Sequence, residues 1–253
     1  MPDLLQFHRR LARLAGDGIH LEVAGQTGKL PIHVLSCPAA PGSPTALLLA
    51  GTHGDEPAGV EAALACLRPE EAWRWRGLGL VVVPCLNPHG YRTGTRENRN
   101  GVDVNWAYAR DDVPEVAVLR RLVAGRRFAF VLDFHEDWES PGYYLYELRR
   151  GAPLVGPLVT RRVGAICPLN TAPEIEGLPA ADGLVAPDAE AEVERRGAGI
   201  PLAMFFSHTD HLLTSESPTA LDLEIRVQAH LVTLEVVAAA HGGGSHQERG
   251  DAR

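Results

Sequence analysis

An α/β sandwich, with helices on both faces of a mixed and mostly parallel central sheet, is the fold class this sequence predicts. Three observations carry it. Apolar runs at 47–50 (LLLA), 79–84 (GLVVVP) and 128–134 (FAFVLDF) read as strands buried on both faces. Between them stand stretches with apolar residues at helical spacing, at 56–67 and 114–123. A polar residue follows each apolar run closely: His53, Asn87 and His135. In such sheets ligands bind at the carboxyl ends of strands, so these three residues point to one site.

The elements follow in order. Residues 4–14 predict an amphipathic helix with Leu4, His8, Leu11 and Leu14 on one face and Asp3 as its cap. Its charges precede no long apolar core, so a signal peptide is not expected. Residues 20–24 and 31–36 read as an antiparallel pair at a sheet edge, joined by a glycine-rich turn over 25–28. After the run at 47–50, Gly51 and Gly54 let the chain turn sharply into a helix that begins around Pro57. Asn87-Pro88-His89-Gly90 opens a polar loop that runs to about Arg110, too long for a simple connector. Pro114 starts a helix to Val123, and the run at 128–134 leads straight into His135. Residues 142–148 (GYYLYEL) predict a strand and 153–166 a helix. The stretch 168–199 reads as a loop with one short helix at 189–196, and 204–216 as a strand. A final helix is expected over 220–239, headed by Thr219 with Asp222 three on, as in a capping box. A single domain over 1–240 is expected, with a polar, glycine-rich, disordered tail at 241–253.

Composition narrows the function. The 253 residues carry a formal charge of −8, which argues against nucleic acid as a partner, because phosphate binding needs a basic face. No apolar run approaches membrane-spanning length. The four cysteines, Cys37, Cys66, Cys85 and Cys167, include no Cys-x-x-Cys pair and read as free thiols. A cytoplasmic protein is expected, and its oligomeric state is not legible.

The chemistry starts at His53 and Glu56, three apart where a strand meets a helix. A catalytic zinc wants three protein ligands and an open position, and His135 is the best third. One zinc per chain is the expected cofactor. His-Glu-x-x-His is absent, since Glu139 stands where the second histidine would be, and Pro57 after Glu56 excludes the inverted form. His208, Asp210 and His211 read as structural. Asp133, two before His135 on the same strand face, can orient a ligand imidazole.

The set His53-x-x-Glu56, Asn87-Pro88-x-Gly90, Thr95-Arg96-x-Asn98, Gly101-Val102-Asp103-x-Asn105 and His135 resembles the zinc carboxypeptidases. It is most similar to their small bacterial branch, with murein-peptide amidases, succinylglutamate desuccinylase and aspartoacylase. The resemblance implies a three-layer carboxypeptidase-like sandwich and an amide hydrolase acting on a small peptide or acyl-amino acid. It implies zinc ligands at His53, Glu56 and His135. Arg96 is implied to polarise the scissile carbonyl, and Asn105 to hold a substrate carboxylate. Glu216, in Thr214-Ser215-Glu216-Ser217-Pro218, matches the general base; Glu224 is its rival on the final helix. Tyr144 is a candidate to line the pocket. One position departs: Trp106 stands where the family has a clamping arginine, and an indole cannot replace that charge. Arg92, Arg99 and Arg110 are candidate substitutes. Two alternatives stay open, an N-acyl-amino-acid deacylase and a non-catalytic metal-binding descendant.

Overall fold

The structure, a computed structural model, describes residues 3–16, 18–68, 70–71, 75 and 77–242. Most of the expected tail, 243–253 with His246, lies outside the described residues. The chain opens with α1 (Leu4–Leu14), capped by the Asp3 carboxylate on the Leu5 N–H at 2.8 Å. An edge hairpin follows, β1 (His20–Thr27) and β2 (Leu30–Cys37). Its turn lies at Gly28–Lys29, not over 25–28: Gly25 and Gln26 pair with Ile32 and Pro31 after a bulge at Ala24.

Next come β3 (Thr45–Ala50), α2 (Pro57–Ala65), β4 (Gly79–Val83), the short α3 (Pro88–Thr93), α4 (Pro114–Val123) and β5 (Val131–Asp137). The second half holds β6 (Tyr144–Arg149), α5 (Gly156–Val163) and three short strands, β7 (Glu174–Ile175), β8 (Leu178–Ala181) and β9 (Leu184–Val185). It ends with α6 (Ala189–Arg196), α7 (Ile200–Ser207), β10 (His211–Pro218) and α8 (Leu223–Ala240).

The sheet order is β1-β2-β4-β3-β5-β10-β6-β9-β8-β7. Its centre, β4-β3-β5-β10, is parallel, and antiparallel pairs flank it on both sides. Alternation along the strands divides the core. Ala46, Leu48, Ala50, Leu132 and Phe134 face α1, α2, α5 and α8, whereas Leu47, Leu49 and Val131 face α4, α6 and α7. Each face buries its own apolar cluster, which makes the three layers.

Further expectations need correction, and the stretch expected as a loop at 168–199 also holds β7, β8 and β9. The strand expected at 128–134 runs from 131 to 137, so His135 lies within it and not after it. Residues 200–207 form a helix: IPLAMFFS is apolar all round, so it carries no amphipathic period, and Pro201 sits in its first turn. The expected capping box does not form. Asp222 is the N-cap without a side-chain bond, and the Thr219 N–H donates to Asp137 O. His241, assigned to the tail, is the C-cap of α8, with its Nε2 2.7 Å from His211 Nδ1.

Candidate active site

The centre forms where β3 hands over to α2. Gly51 takes a left-handed φ of +60°, which turns the chain off the strand end. A Cβ on Gly54 would lie 1.8 Å from the Gly90 carbonyl carbon, so glycine alone lets this turn rest on α3. The turn presents His53, and Glu56 follows as the N-cap of α2. Parallel pairing of β3 with β5 brings His135 alongside.

His53 Nδ1 lies 2.6 Å from Glu56 Oε1, His135 Nδ1 lies 2.9 Å from Glu56 Oε2, and the two Nδ1 atoms are 3.1 Å apart. All three side chains are buried. They form one group of possible metal ligands, with all ligand atoms within 4.8 Å of one another. Tetrahedral ligands at ~2.0–2.1 Å from a zinc are roughly 3.3 Å from each other, so two nitrogens and a carboxylate at this spacing fit such an ion. Burial pushes Glu56 up, but the charges of His135 and then His53 outweigh it and hold the carboxylate ionised. On His135 burial pushes the other way, and the Asp133 and Glu56 carboxylates overcome it.

The surroundings are acidic and ordered. His53 Nε2 lies 3.1 Å from Asp103 Oδ1, and Arg96 Nε donates to Asp103 Oδ2 at 3.0 Å. Burial raises Asp103, yet its hydrogen bond to His53 and the charges of His53 and Arg96 hold it down to about 2. Asp133 Oδ2 lies 3.2 Å from His135 Nε2, but off the line of a hydrogen bond. Arg96 Nη1 lies 3.6 Å from Glu56 Oε1.

A cavity of about 320 Å³ opens over this centre, lined by His53, Glu56, Arg96, Asn105, Trp106, His135, Tyr144 and Glu216, whereas Asn87 does not line it and caps α3. Glu216 on β10 is in register with His135 on one side and Tyr144 on the other. Burial pushes its carboxyl well above the usual carboxylate range, against the pull of His135 and with the push of Glu56. Glu224 is exposed on α8 and is not among the lining residues. Asn105 Oδ1 is buried without a hydrogen-bond partner among the described residues. The Tyr144 hydroxyl donates to Asp137 at 3.0 Å.

Arg92, Arg99 and Arg110 do not line the cavity; the guanidiniums that do are Arg96 and Arg196. Arg196, at the end of α6, lies with its Cζ 6.0 Å from the Trp106 ring and is paired with Glu176 at 3.0 Å. The sequence reading missed Arg196, Glu176 and Trp138, the last 77% exposed on the rim. Asp103 stood in a quoted motif without a role; its two-residue step to Asn105 and seven-residue step to Arg96 were the available signal. His208, Asp210 and His211 are dispersed. His208 bonds to Arg126 O, Asp210 pairs with Arg127, and His211 meets Glu147 at 2.9 Å.

A family model described as a protein of unknown function (DUF2817) matches residues 17–136, the segment that carries all three candidate ligands. The structure of a candidate metallopeptidase from Shewanella denitrificans superposes with a TM-score of 0.81 at 24% identity, covering 96% of this chain and 92% of that one. Carboxypeptidase A from Helicoverpa armigera superposes with a TM-score of 0.69 at 16% identity, covering 97% and 73%. The fold is carboxypeptidase-like. Among curated relatives, Murein peptide amidase A of Vibrio campbellii is 34% identical over 121 residues, 36% of this chain. That match spans about half, 47%, of the relative's length. Among the described residues no helix is long and apolar enough to cross a membrane.

Proposed function

We propose that this chain is a zinc-dependent hydrolase of amide bonds in small peptides, with cell-wall peptides the first substrates to examine. The observation that carries the reading is the buried His53-Glu56-His135 group at the floor of a cavity that Arg96 and Glu216 also line. The superfamily fold and the similarity to a protein named a murein peptide amidase support it.

His53, Glu56 and His135 would hold the metal. When bound, zinc lowers the pKa of a coordinated water toward ~7 and polarises a carbonyl. Glu216 takes the proton from the attacking water and delivers it to the leaving nitrogen. Arg96, steered by Asp103, donates to the oxygen on which negative charge develops, and one such donor is typically worth a few kcal/mol. Asn105 and Trp106 face the substrate beyond the scissile bond. A carboxylate clamp at position 106 is missing. A substrate fixed by apolar and hydrogen-bonding contacts therefore fits this wall better than one held only by a terminal carboxylate.

The test is a hydrolysis panel with γ-glutamyl cell-wall peptides, peptides with free or blocked C-termini, and acylated amino acids. Glu216→Gln is expected to keep its metal and lose turnover of whichever amide the wild type cleaves. A Glu216→Gln variant with wild-type turnover moves the base elsewhere.

A further inference from the structure

On the opposite face of β10 from the cavity, the sheet is tied to α8 by a buried polar cluster that the proposed chemistry does not use. Ser215 and Ser217 flank Glu216 and, by strand alternation, point away from the cavity toward α8. The imidazole of His230, fully buried on α8, spans them. Ser215 Oγ lies 2.9 Å from Nδ1, and Ser217 Oγ lies 3.1 Å from Nε2. The Tyr143 hydroxyl lies 3.1 Å from Ser215 Oγ and 2.6 Å from Thr233 Oγ1.

The protons in this chain have one consistent arrangement for a neutral imidazole. Thr233 Oγ donates to Ala229 O at 2.8 Å, and a carbonyl can only accept. Thr233 therefore accepts from Tyr143, so Tyr143 accepts from Ser215. Ser215 then accepts from His230 Nδ1–H, and His230 Nε2 accepts from Ser217. Every hydroxyl proton is used, and the imidazole is neutral with its proton on Nδ1.

We propose that His230, held as the neutral Nδ1–H tautomer, is a positioning residue that clamps the backbone on both sides of Glu216 and so fixes the carboxylate over the metal centre. The proposal rests on the reading of Glu216 as the base. Burial pushes the imidazole down to about 3, which keeps it neutral. Its ring also packs 5.0 Å from that of Phe134, next to His135, so one side chain braces both strands that carry the site.

The experiment has two arms on the full-length, zinc-loaded protein. The first is proton–nitrogen correlation NMR of the ¹⁵N-histidine-labelled wild type. A neutral His230 with its proton on Nδ1 is expected; an Nε2–H tautomer or an imidazolium overturns the clamp. The second compares His230→Phe, Ser217→Ala and Glu216→Gln with a γ-glutamyl cell-wall tripeptide as probe. His230→Phe keeps the ring volume and removes both hydrogen bonds. It is expected to retain zinc and KM and to lose kcat by roughly 10–100-fold, the scale of a misplaced catalytic group. Ser217→Ala, a milder change that serves where His230→Phe does not fold, is expected to lose kcat in the same direction with KM unchanged. Wild-type kcat in the folded variant overturns the proposal, as does a loss confined to KM. Full turnover by Glu216→Gln instead refutes the base assignment and leaves the tautomer result to stand by itself.

Discussion

Replacing Glu136 by alanine tests how the site is held from behind. Glu136 follows the ligand His135 on β5, but its carboxylate points into the layer of α2 and α8. Oε2 accepts the Ala58 N–H at 2.6 Å, in the first turn of the helix that Glu56 caps. Oε1 accepts from Arg226 on α8, whose side chain is 13% exposed while that of Glu136 is fully buried. The variant leaves a guanidinium and a backbone N–H without partners in a closed layer. Removing one member of a buried ion pair costs about 3–5 kcal/mol, because the other charge stays uncompensated. At ~2–4 °C per kcal/mol for a chain of this size, the melting midpoint of metal-free Glu136→Ala is expected to fall by roughly 6–20 °C. Urea unfolding should show the same loss with an unchanged slope. The double variant Glu136→Ala/Arg226→Met removes both charges and is expected to recover part of the loss, giving a coupling well above the ~0.5 kcal/mol limit of independent sites. A midpoint within 2 °C of wild type, or a coupling below that limit, would refute the claim that Glu136 joins the metal-bearing turn to α8.

Three further outcomes follow from the same geometry. The wild type is expected to bind about one zinc per chain and His135→Ala to lose it, measured by elemental analysis after gel filtration; stoichiometric zinc in the variant removes His135 from the ligand set. Trp106→Arg puts a guanidinium where the carboxypeptidases that the motifs resemble carry a clamp and is expected to raise kcat/KM for peptides with a free C-terminal carboxylate relative to blocked ones, and an unchanged ratio means this wall is shaped for another group. Burial pushes His230 and His241 below the usual value of 6.5, to about 3 and about 4, so both stay neutral when folded and take up protons on unfolding. Their stabilisation is present above pH 6.5 and is lost as pH falls toward 4 and then 3. The metal-loaded wild type should lose stability between pH 7 and 4.5 more steeply than His230→Phe, and parallel profiles contradict the buried neutral imidazole.

The His53–Glu56 end of the candidate site was legible because it is local. An apolar run, two glycines, and a histidine and carboxylate ahead of Pro57 lie within one stretch, and each imposes its geometry on near neighbours. Helix 114–123 was readable for the same reason, since Pro114 marks its start. Other elements answered to tertiary context. The polar end of β5 (His135-Glu136-Asp137) does not look like strand, because its side chains face a cavity and an ion pair instead of apolar core. Helix α7 is apolar all round and mostly buried, with Phe206 and Ser207 exposed, so no period marks it. The far wall of the cavity was not legible at all. Glu176 and Arg196 reach it from a short hairpin and a helix end, and only folding brings them to Trp106. That division has a functional consequence. On the proposed function, the candidate ligands and Glu216 stand at the ends of the central strands, braced from α8 by Arg226 and His230, whereas the far wall comes from Trp106 and the less regular 174–196 segment. Changes in that wall are expected to alter which amide is accepted without disturbing the candidate ligands, so specificity variants belong at Glu176, Arg196 and Trp106 and not on the central strands.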